Sequence, residues 1–482
     1  MQMYPAIQTT RQTVLVGSSL RQAYHRLYLQ LCRTYTSRNV LKLNERGLWA
    51  DRFPDSNTNK LIEELTRQPQ TVYSGFDPTA DSLHVGNLLV LIALLHCQRA
   101  GHNIIALVGG ATAQVGDPSG RSSERPQLKI DEIKANSIKI SENIRQIFEN
   151  HKQIFWDQGN DEPLPTLRIE NNLHWYKRLN VVDFLRDAGR NLRMGDMLSR
   201  TSVQSRLSAP EGLSFTEFSY QALQAYDWLY LYDMYNCKFQ IGGNDQMGNI
   251  YTGHQLIHRV RKTSVTGKWI CLFRIIVILF SLTIPIITNE SGDKFGKSAG
   301  NPIWLDSSKT SPFDLYQFFV EKYLHLLTFL PVKDIKQVME KHWGKPESRY
   351  AQKKLAEKVT LLVHGRRGLE SARRTSEVLY GNQSEALAEM TRDEIQVVFN
   401  SYPSVELILT PGTSVLDLAL KAQCFKDERD ARRIIEAGGF YINLSRVSNP
   451  DLILVPGAHI LPNGLSLLRV GKKNYYLIKW QK

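Results

Sequence analysis

Tyr220, Gln224 and Asp227 stand at i, i+4 and i+7 in a run that opens Phe215-Thr216-Glu217-Phe218-Ser219 and continues through Ala225-Tyr226. In a helix, that spacing puts a phenol, an amide and a carboxylate on one face. Such a face usually points to solvent. Here aromatic residues interrupt it and apolar residues flank it, which favours a pocket. A second group, Tyr73-Ser74-Gly75-Phe76-Asp77-Pro78-Thr79 running into Leu83-His84-Val85-Gly86-Asn87, reads as a strand that turns through Gly75 and Pro78 and opens a helix near His84. Backbone N–H groups and a helix N-terminus then converge on one point, which suits a polyphosphate, and Gly86 leaves room for a purine. Taken alone, His84-Val85-Gly86-Asn87 is better explained by a buried structural histidine. Gly109-Gly110-Ala111-Thr112 followed by Gly116-Asp117-Pro118-Ser119-Gly120-Arg121 is another glycine-rich strand-to-loop transition, with Arg121 and Arg125 able to meet anionic phosphate. In Ile241-Gly242-Gly243-Asn244-Asp245-Gln246 an acid at a strand end can hold a ribose. Lys294-Phe295-Gly296-Lys297-Ser298 sets two lysines in one turn and alone reads as a solvated loop.

The elements that must position these groups follow from periodicity. Thr71 to Phe76 and Ile104 to Val108 have the pattern of buried strands, and Leu88 to Gln98 and Phe215 to Tyr232 that of helices. Their alternation implies an α/β domain with a Rossmann-like parallel sheet over residues 60–302. Residues 303–405 change character, being helical almost throughout with an apolar stripe through Leu355, Val359, Leu362 and Val363. After Thr410-Pro411-Gly412, residues 410–482 form a small α+β unit with Gly438-Gly439, a strand-like Phe440-Tyr441-Ile442 and a closing run Tyr475 to Ile478. No Ser/His/Asp arrangement is found. Cys32, Cys97, Cys237, Cys271 and Cys424 show no CxxC spacing and no partner histidines, which argues against a zinc site or a disulfide framework.

In this order, the motifs resemble class I aminoacyl-tRNA synthetases, and among them the tyrosyl-tRNA synthetase family of the mitochondrial type, over roughly residues 60 to 482. His84-Val85-Gly86-Asn87 is similar to that family's HIGH element and Lys294 to Ser298 to its KMSKS element. The resemblance implies an enzyme that activates tyrosine with ATP to tyrosyl-adenylate and pyrophosphate, then transfers the tyrosyl group to the 3'-terminal adenosine of tRNA(Tyr). It implies that Tyr73 and Asp227 contact the substrate phenol, that Asp117, Tyr220 and Gln224 hold its ammonium, and that Gln246 lies near its carboxylate. Asp77, Gly86, Asn87 and Asp245 would contact ATP or the adenylate. Thr79, His84, Lys294 and Lys297, with Arg121 and Arg125, would stabilise the pyrophosphate leaving group. Mg2+ would accompany ATP without a dedicated protein metal site. Phe215 stands where the family places an aromatic at a two-fold dimer interface. The helical segment resembles an anticodon-binding domain through Lys353 to Glu357 and Leu362 to Gly365. The terminal unit resembles an S4-type RNA-binding domain through Asp430 to Asn443, with Arg432 and Arg433 facing RNA. Asn87 replaces the last histidine of HIGH, where an amide can still bond a ribose hydroxyl, and Ser74 and Val90 stand where some members carry a cysteine and a threonine. A splicing protein that has lost catalysis and a tryptophanyl-tRNA synthetase remain as alternatives. Intact Thr79, His84, Lys294 and Lys297 argue against the first, and the Tyr73 and Asp227 pair against the second.

The chain has 482 residues, 42% hydrophobic and 22% charged, which calls for several folded domains and excludes a disordered protein. Its net charge of +13 fits a polyanionic partner. Arg11, Arg21, Arg26, Arg33, Arg38 and Lys42 precede the first acid, Glu45, and Leu20, Tyr24, Leu27 and Leu31 fall at helical spacing. A basic, acid-free, amphipathic leader over residues 1–44 is expected to direct the chain to the mitochondrial matrix. Between Gln246 and Lys294 the chain exceeds the family pattern by about a dozen residues, placed near 264–281. With Leu282 to Ile287 this apolar run approaches the length of a membrane span, but Arg274 and Pro285 interrupt it and a membrane partner is not expected. Gly267-Lys268-Trp269 is compatible with codons containing a splice-donor-like GTAAGT, so the surplus reads as a retained intron.

Overall fold

The structure, a computed structural model, describes residues 38–55, 58–121, 123–156, 163–266, 279–285, 304–307, 309–310, 321–380, 403–471 and 474–481. They fall into two compact units. One draws on Met1–Asp81, Gly86–Ile144 and Trp156–Lys294, the other on Ser82–Val85, Arg145–Phe155 and Phe295–Lys482.

The first unit is a six-stranded sheet with helices. Its strands are β1 (Asp51–Phe53), β2 (Thr71–Phe76), β3 (Asn103–Val108), β4 (Leu167–Asn171), β5 (Cys237–Gly243) and β6 (Phe280–Ile284), in the order β1-β6-β5-β2-β3-β4. Neighbours from β6 to β4 run parallel, as the alternation of strand and helix requires, while β1 pairs antiparallel with β6 at one edge. The helices are α1 (Thr58–Arg67), α2 (Val85–Arg99), α3 (Ile130–His151), whose residues from Arg145 on belong to the second unit, α4 (Phe215–Tyr235) and α5 (Met247–Thr266). Leu88, Leu89, Leu91, Ile92, Leu94 and Leu95 of α2 are all fully buried, so this helix is enclosed on every side. α4 begins where the Ser214 hydroxyl accepts from the Glu217 N–H at 3.1 Å, and ends at Asn236 in the left-handed conformation (φ 49).

Two boundaries differ from the sequence expectation. Residues 38–44, read as leader, and residues 45–59, left outside the catalytic domain, contain folded structure. A 3-10 helix spans Val40–Arg46, Val40 is buried, its carbonyl accepts from Trp49 Nε1 at 2.8 Å, and the Arg38 carbonyl meets Nε2 of the buried His102 at 2.8 Å. Asp51 and Phe53 then extend the sheet. Part of the stretch near 264–281, read as surplus, is also regular structure. Ser264 to Thr266 close α5, Leu279 is fully buried, and Phe280 and Ser281 begin β6. Residues 267–278 lie outside the described residues, as does most of the apolar run. Among the described residues no helix is long and apolar enough to cross a membrane.

In the second unit, α6 (Glu321–Leu327), α7 (Val332–Gly344) and α8 (Tyr350–Tyr380) pack through Leu355, Val359, Leu362 and Val363, the stripe read from the sequence. α8 is broken at Gly365 (φ 67, ψ −168). Nδ2 of the buried Asn150 donates to the Leu362 carbonyl at 3.0 Å and the Val363 carbonyl at 3.3 Å, satisfying acceptors that an unbroken helix would use itself. Further on, β7 (Ser404–Ile408), α9 (Val415–Lys421), α10 (Glu428–Glu436), β8 (Phe440–Ile442), β9 (Ser445–Val447), β10 (Leu465–Val470) and β11 (Asn474–Gln481) build a five-stranded sheet in the order β7-β11-β10-β8-β9. Its core includes Val415, Leu418, Ile435, Phe440, Leu468 and Ile478. Because β7 pairs with β11, this α+β part starts upstream of the turn at Thr410-Pro411-Gly412.

Removing residues 1–36 is expected to leave thermal stability unchanged. Removing 1–44 deletes buried Val40 and the acceptor of His102, at a cost of about 2–4 kcal/mol. Equal melting temperatures for the two truncations would refute this anchoring role.

Candidate active site

The parallel strands leave β2 in two directions, towards β3 and β4 on one side and β5 and β6 on the other. Where strand order reverses, the loops beyond the strands' carboxyl ends diverge and leave a crevice. The sequence motifs fall at these ends, with Asp77 after β2, Gly109 to Thr112 after β3 and Asn244 to Gln246 after β5, and Asn172, which no motif marked, follows β4. Tyr73 lies inside β2, beside Ile105 of β3 and Gln240 of β5.

A chain of hydrogen bonds joins these ends to α4. The Asp77 carboxylate accepts from Thr112 Oγ1 at 2.7 Å and from the Tyr220 hydroxyl at 2.8 Å. Asn172 Nδ2 donates to Thr112 Oγ1 and to Asp227 Oδ2, both at 3.0 Å, while its Oδ1 accepts from the Ala111 N–H at 2.7 Å. Trp175 Nε1 donates to Asp227 Oδ1 at 2.9 Å. A Cβ on Gly109 would collide with Asp77 and Thr112, and one on Gly110 would lie 2.5 Å from Asn171 Oδ1, so the paired glycines are steric requirements of this network. Burial pushes Asp227 up to about 7, against the opposing hydrogen bonds of Asn172, Trp175 and Tyr176. Burial likewise raises Asp77 to about 6, against Thr112 and Tyr220.

Tyr73 is the exception in this network. Its ring is 1% exposed and its hydroxyl is buried without a hydrogen-bond partner among the described residues. Burial, then Cys237 and Asp227, raises its pKa well above the usual phenol value. A buried hydroxyl left unsatisfied is costly, and an incoming polar ligand group would relieve that cost. The side-chain amide of Gln224, half-buried on the face it shares with Tyr220 and Asp227, also makes no hydrogen bond among the described residues.

A second polar group surrounds Asp117. Its carboxylate accepts from Gln246 Nε2 at 2.7 Å and the Ser119 N–H at 3.0 Å, with Asn249 Nδ2 at 3.4 Å. Arg125 Nε donates to the Asp117 carbonyl at 3.2 Å, and neither Arg125 nor Arg121 forms an ion pair among the described residues. Asp245 is exposed beside Gly243, where a Cβ would lie 2.5 Å from its Oδ1. The Thr79 N–H donates to the Asp77 carbonyl at 2.8 Å, and Gly86 and Asn87 open α2.

His84 belongs to the second unit. It forms an antiparallel bridge with Trp304, and the Leu305 N–H donates to the Leu83 carbonyl at 2.8 Å. Lys294 and Lys297 lie outside the described residues. The sequence motifs did not single out Asn172, Trp175 or Asn249. They also missed the Arg206–Glu217 ion pair, 1% and 2% exposed, whose two contacts of 2.9 and 3.0 Å fix the first turn of α4. Asn172 and Trp175 follow a strand end at i, i+3, a weak signal, and nothing in the intervening residues marks Arg206 as the partner of Glu217. Arg432 is paired with Asp451 at 3.2 Å and Arg433 with Asp430 at 2.7 Å. Phe215 is 81% exposed.

A sequence profile of the class I tRNA synthetases (W and Y) matches residues 65–381, and one of the tyrosine–tRNA ligase SYY-like C-terminal domain matches residues 394–478. The chain is 52% identical over 458 residues to the mitochondrial tyrosine–tRNA ligase of Drosophila melanogaster, covering 93% of this chain and 96% of that one. It is 47% identical over 447 residues to the mitochondrial tyrosine–tRNA ligase of Homo sapiens, covering 90% of each. A C-terminally truncated mitochondrial tyrosyl-tRNA synthetase of Aspergillus nidulans superposes with a TM-score of 0.62 at 32% identity, covering 70% of this chain and 93% of that one.

The raised pKa of Asp227 carries a sign that can be measured. The folded protein keeps this proton to about pH 7, whereas the unfolded chain releases it near 3.8, so Asp227's contribution to stability declines as pH rises between those values. Asp227→Asn is expected to remove a slope on the order of 1 kcal/mol per pH unit, so its stability relative to wild type improves from pH 5 to 7. Parallel stability curves for the two proteins would refute the shift.

Proposed function

The chain belongs to the class I tRNA synthetases, in the tyrosine–tRNA ligase family, and on that premise we propose how its residues divide the work of loading tRNA with tyrosine. The observation that carries the assignment is the partnerless, buried Tyr73 hydroxyl beside the buried Asp227 carboxylate. A substrate phenol placed there donates to Asp227 and satisfies Tyr73. Phenylalanine would leave both polar groups unpaired, a discrimination for which tyrosyl-tRNA synthetases are themselves the reference case.

Tyrosine's carboxylate is the nucleophile. It attacks the α-phosphorus of ATP, the bond to the bridging oxygen breaks, and pyrophosphate leaves. The 3'-terminal adenosine hydroxyl of tRNA then attacks the acyl carbon and AMP departs. Asp117, Tyr220 and Gln224 hold the ammonium, and Gln246 lies at the carboxylate. The unpaired amide of Gln224 and the Gln246–Asp117 contact support this division. Asp77, Gly86, Asn87 and Asp245 serve the nucleotide. Thr79, His84, Lys294, Lys297, Arg121 and Arg125 meet the leaving pyrophosphate, for which fixed positive charge and positioning are the main requirements. Mg2+ arrives with ATP as part of the substrate. Arg432 and Arg433 contribute to the RNA-facing surface. The names of the relatives support a mitochondrial location, and the basic leader supports import to the matrix. Residues 1–37 lie outside the described residues.

Phe215 is proposed to lie at a two-fold interface. Leu185, Val181, Val182 and Leu207 of the same unit are also exposed, and a two-fold contact would take such side chains out of water.

Tyrosine-dependent pyrophosphate exchange is the direct test, with no exchange overturning the assignment. Asp227→Ala should raise the KM for tyrosine at least tenfold while changing that for ATP little, because the phenol loses its buried acceptor. An unchanged tyrosine KM would remove Asp227 from the phenol site. Phe215→Asp should yield monomers by analytical ultracentrifugation, since a two-fold contact buries the new charge twice. Sedimentation identical to wild type would place the interface elsewhere.

A further inference from the structure

The corner between α7 and α8 carries a surface that neither helix needs for packing. Trp343, in the last turn of α7, is 62% exposed, although an indole is among the side chains most strongly driven from water. Lys341, Lys345, Arg349 and Lys353 lie around it in sequence and are all exposed. The corner is tightly built. The Lys345 N–H donates to the His342 carbonyl, Ser348 to Lys345, Arg349 to Pro346 and Lys353 to Arg349, at 3.0–3.2 Å. Lys341 Nζ lies 5.9 Å from the centroid of the Tyr350 ring. None of these four cations is ion-paired among the described residues, although Glu340 and Glu347 are in the same stretch. On α8 the contrast is plain, where Lys354, Lys358 and Arg373 all gather on Glu357.

An exposed flat aromatic among unneutralised cations on a rigid corner matches the needs of single-stranded nucleic acid, in which a base stacks and the flanking phosphates meet positive charge. A protein partner would call for an apolar surround, whereas the neighbours of Trp343 are Gly344 and charged or polar groups. We propose that Trp343 is a stacking platform for an unpaired base of the bound tRNA, with Lys341, Lys345, Arg349 and Lys353 holding the backbone phosphates beside it. This rests on the tRNA-loading reading above and adds the place on the helical part where an RNA loop is gripped.

The test uses the full chain and a tyrosine tRNA transcript. Wild type, Trp343→Ala, Trp343→Phe and the double variant Lys345→Gln/Arg349→Gln are compared in aminoacylation, with tyrosine-dependent pyrophosphate exchange, which needs no tRNA, measured on the same preparations. Trp343→Ala should raise the KM for tRNA by roughly 5- to 100-fold, with Phe recovering most of the loss, because stacking needs a ring and not an indole N–H. The double variant should lower the slope of log KM against log salt by about 1.5, having removed two phosphate contacts. A tRNA KM within twofold of wild type for Trp343→Ala overturns the proposal and leaves the corner to a protein contact. A fall in exchange matching the fall in charging also overturns it, by making Trp343 structural. Absence of exchange in the wild type would refute the enzymatic reading instead.

Discussion

The carboxylate of Asp227 is the group around which the catalytic unit is arranged. Taking it out of water costs several kcal/mol unless donors replace the lost hydration. Asn172 and Trp175 supply those donors, which fixes the turn after β4. Asn172 is in turn held by the Ala111 N–H and shares its amide with Thr112, so the loop after β3 is fixed by the same demand. Through Thr112 the network reaches Asp77 and returns to α4 at Tyr220, two turns before Asp227. One helix is thus held at two points to the carboxyl ends of three strands.

Close approach is the second constraint. Gly109 and Gly110 allow the loop after β3 to pass against Asp77 and Asn171, and Gly253 lets α5 lie against α4, where a Cβ would come within 2.8 Å of Trp228 Cε3. Trp228 is fully buried and donates to the Cys237 carbonyl at 3.1 Å, so the helix carrying the polar face is also fixed to the start of β5. The Arg206–Glu217 pair holds its other end. Breaking such a buried pair by removing one partner leaves an uncompensated charge, so its effect is to hold one arrangement of α4 rather than to add much net stability.

The second unit divides its charges differently. Arg432 and Arg433, on the helix whose sequence pattern first suggested RNA binding, are paired with Asp451 and Asp430. Exposed pairs of this kind contribute little. Among the described residues, the cations of the α7–α8 corner have no carboxylate partner. At the Gly365 break the Asn150 amide donates to the Leu362 and Val363 carbonyls, and in the candidate site the Asn172 amide oxygen accepts from the Ala111 N–H, so an asparagine serves irregular backbone in both places.

Patterns of local origin were decided by the sequence alone. Short apolar runs marked β2 and β3 and helical stretches marked α2 and α4, and the i, i+4, i+7 spacing placed Tyr220, Gln224 and Asp227 on one face. The resemblance in motif order then led to the family. The tertiary structure decided what depends on residues far apart in the chain. That Asn172 and Trp175 serve Asp227, that Arg206 serves Glu217, and that Tyr220 bonds Asp77 rather than standing free could not be read locally, because hydrogen-bond partners are chosen by the sheet's strand order. The same holds at the edges of the units. Val40 and Arg38 look like part of a basic leader until His102 and Trp49 are seen to hold them, and Phe280 looks like surplus until it pairs with Phe239 in β5. Burial is a property of the assembled neighbours, and a run of side chains carries no record of which neighbours will cover it.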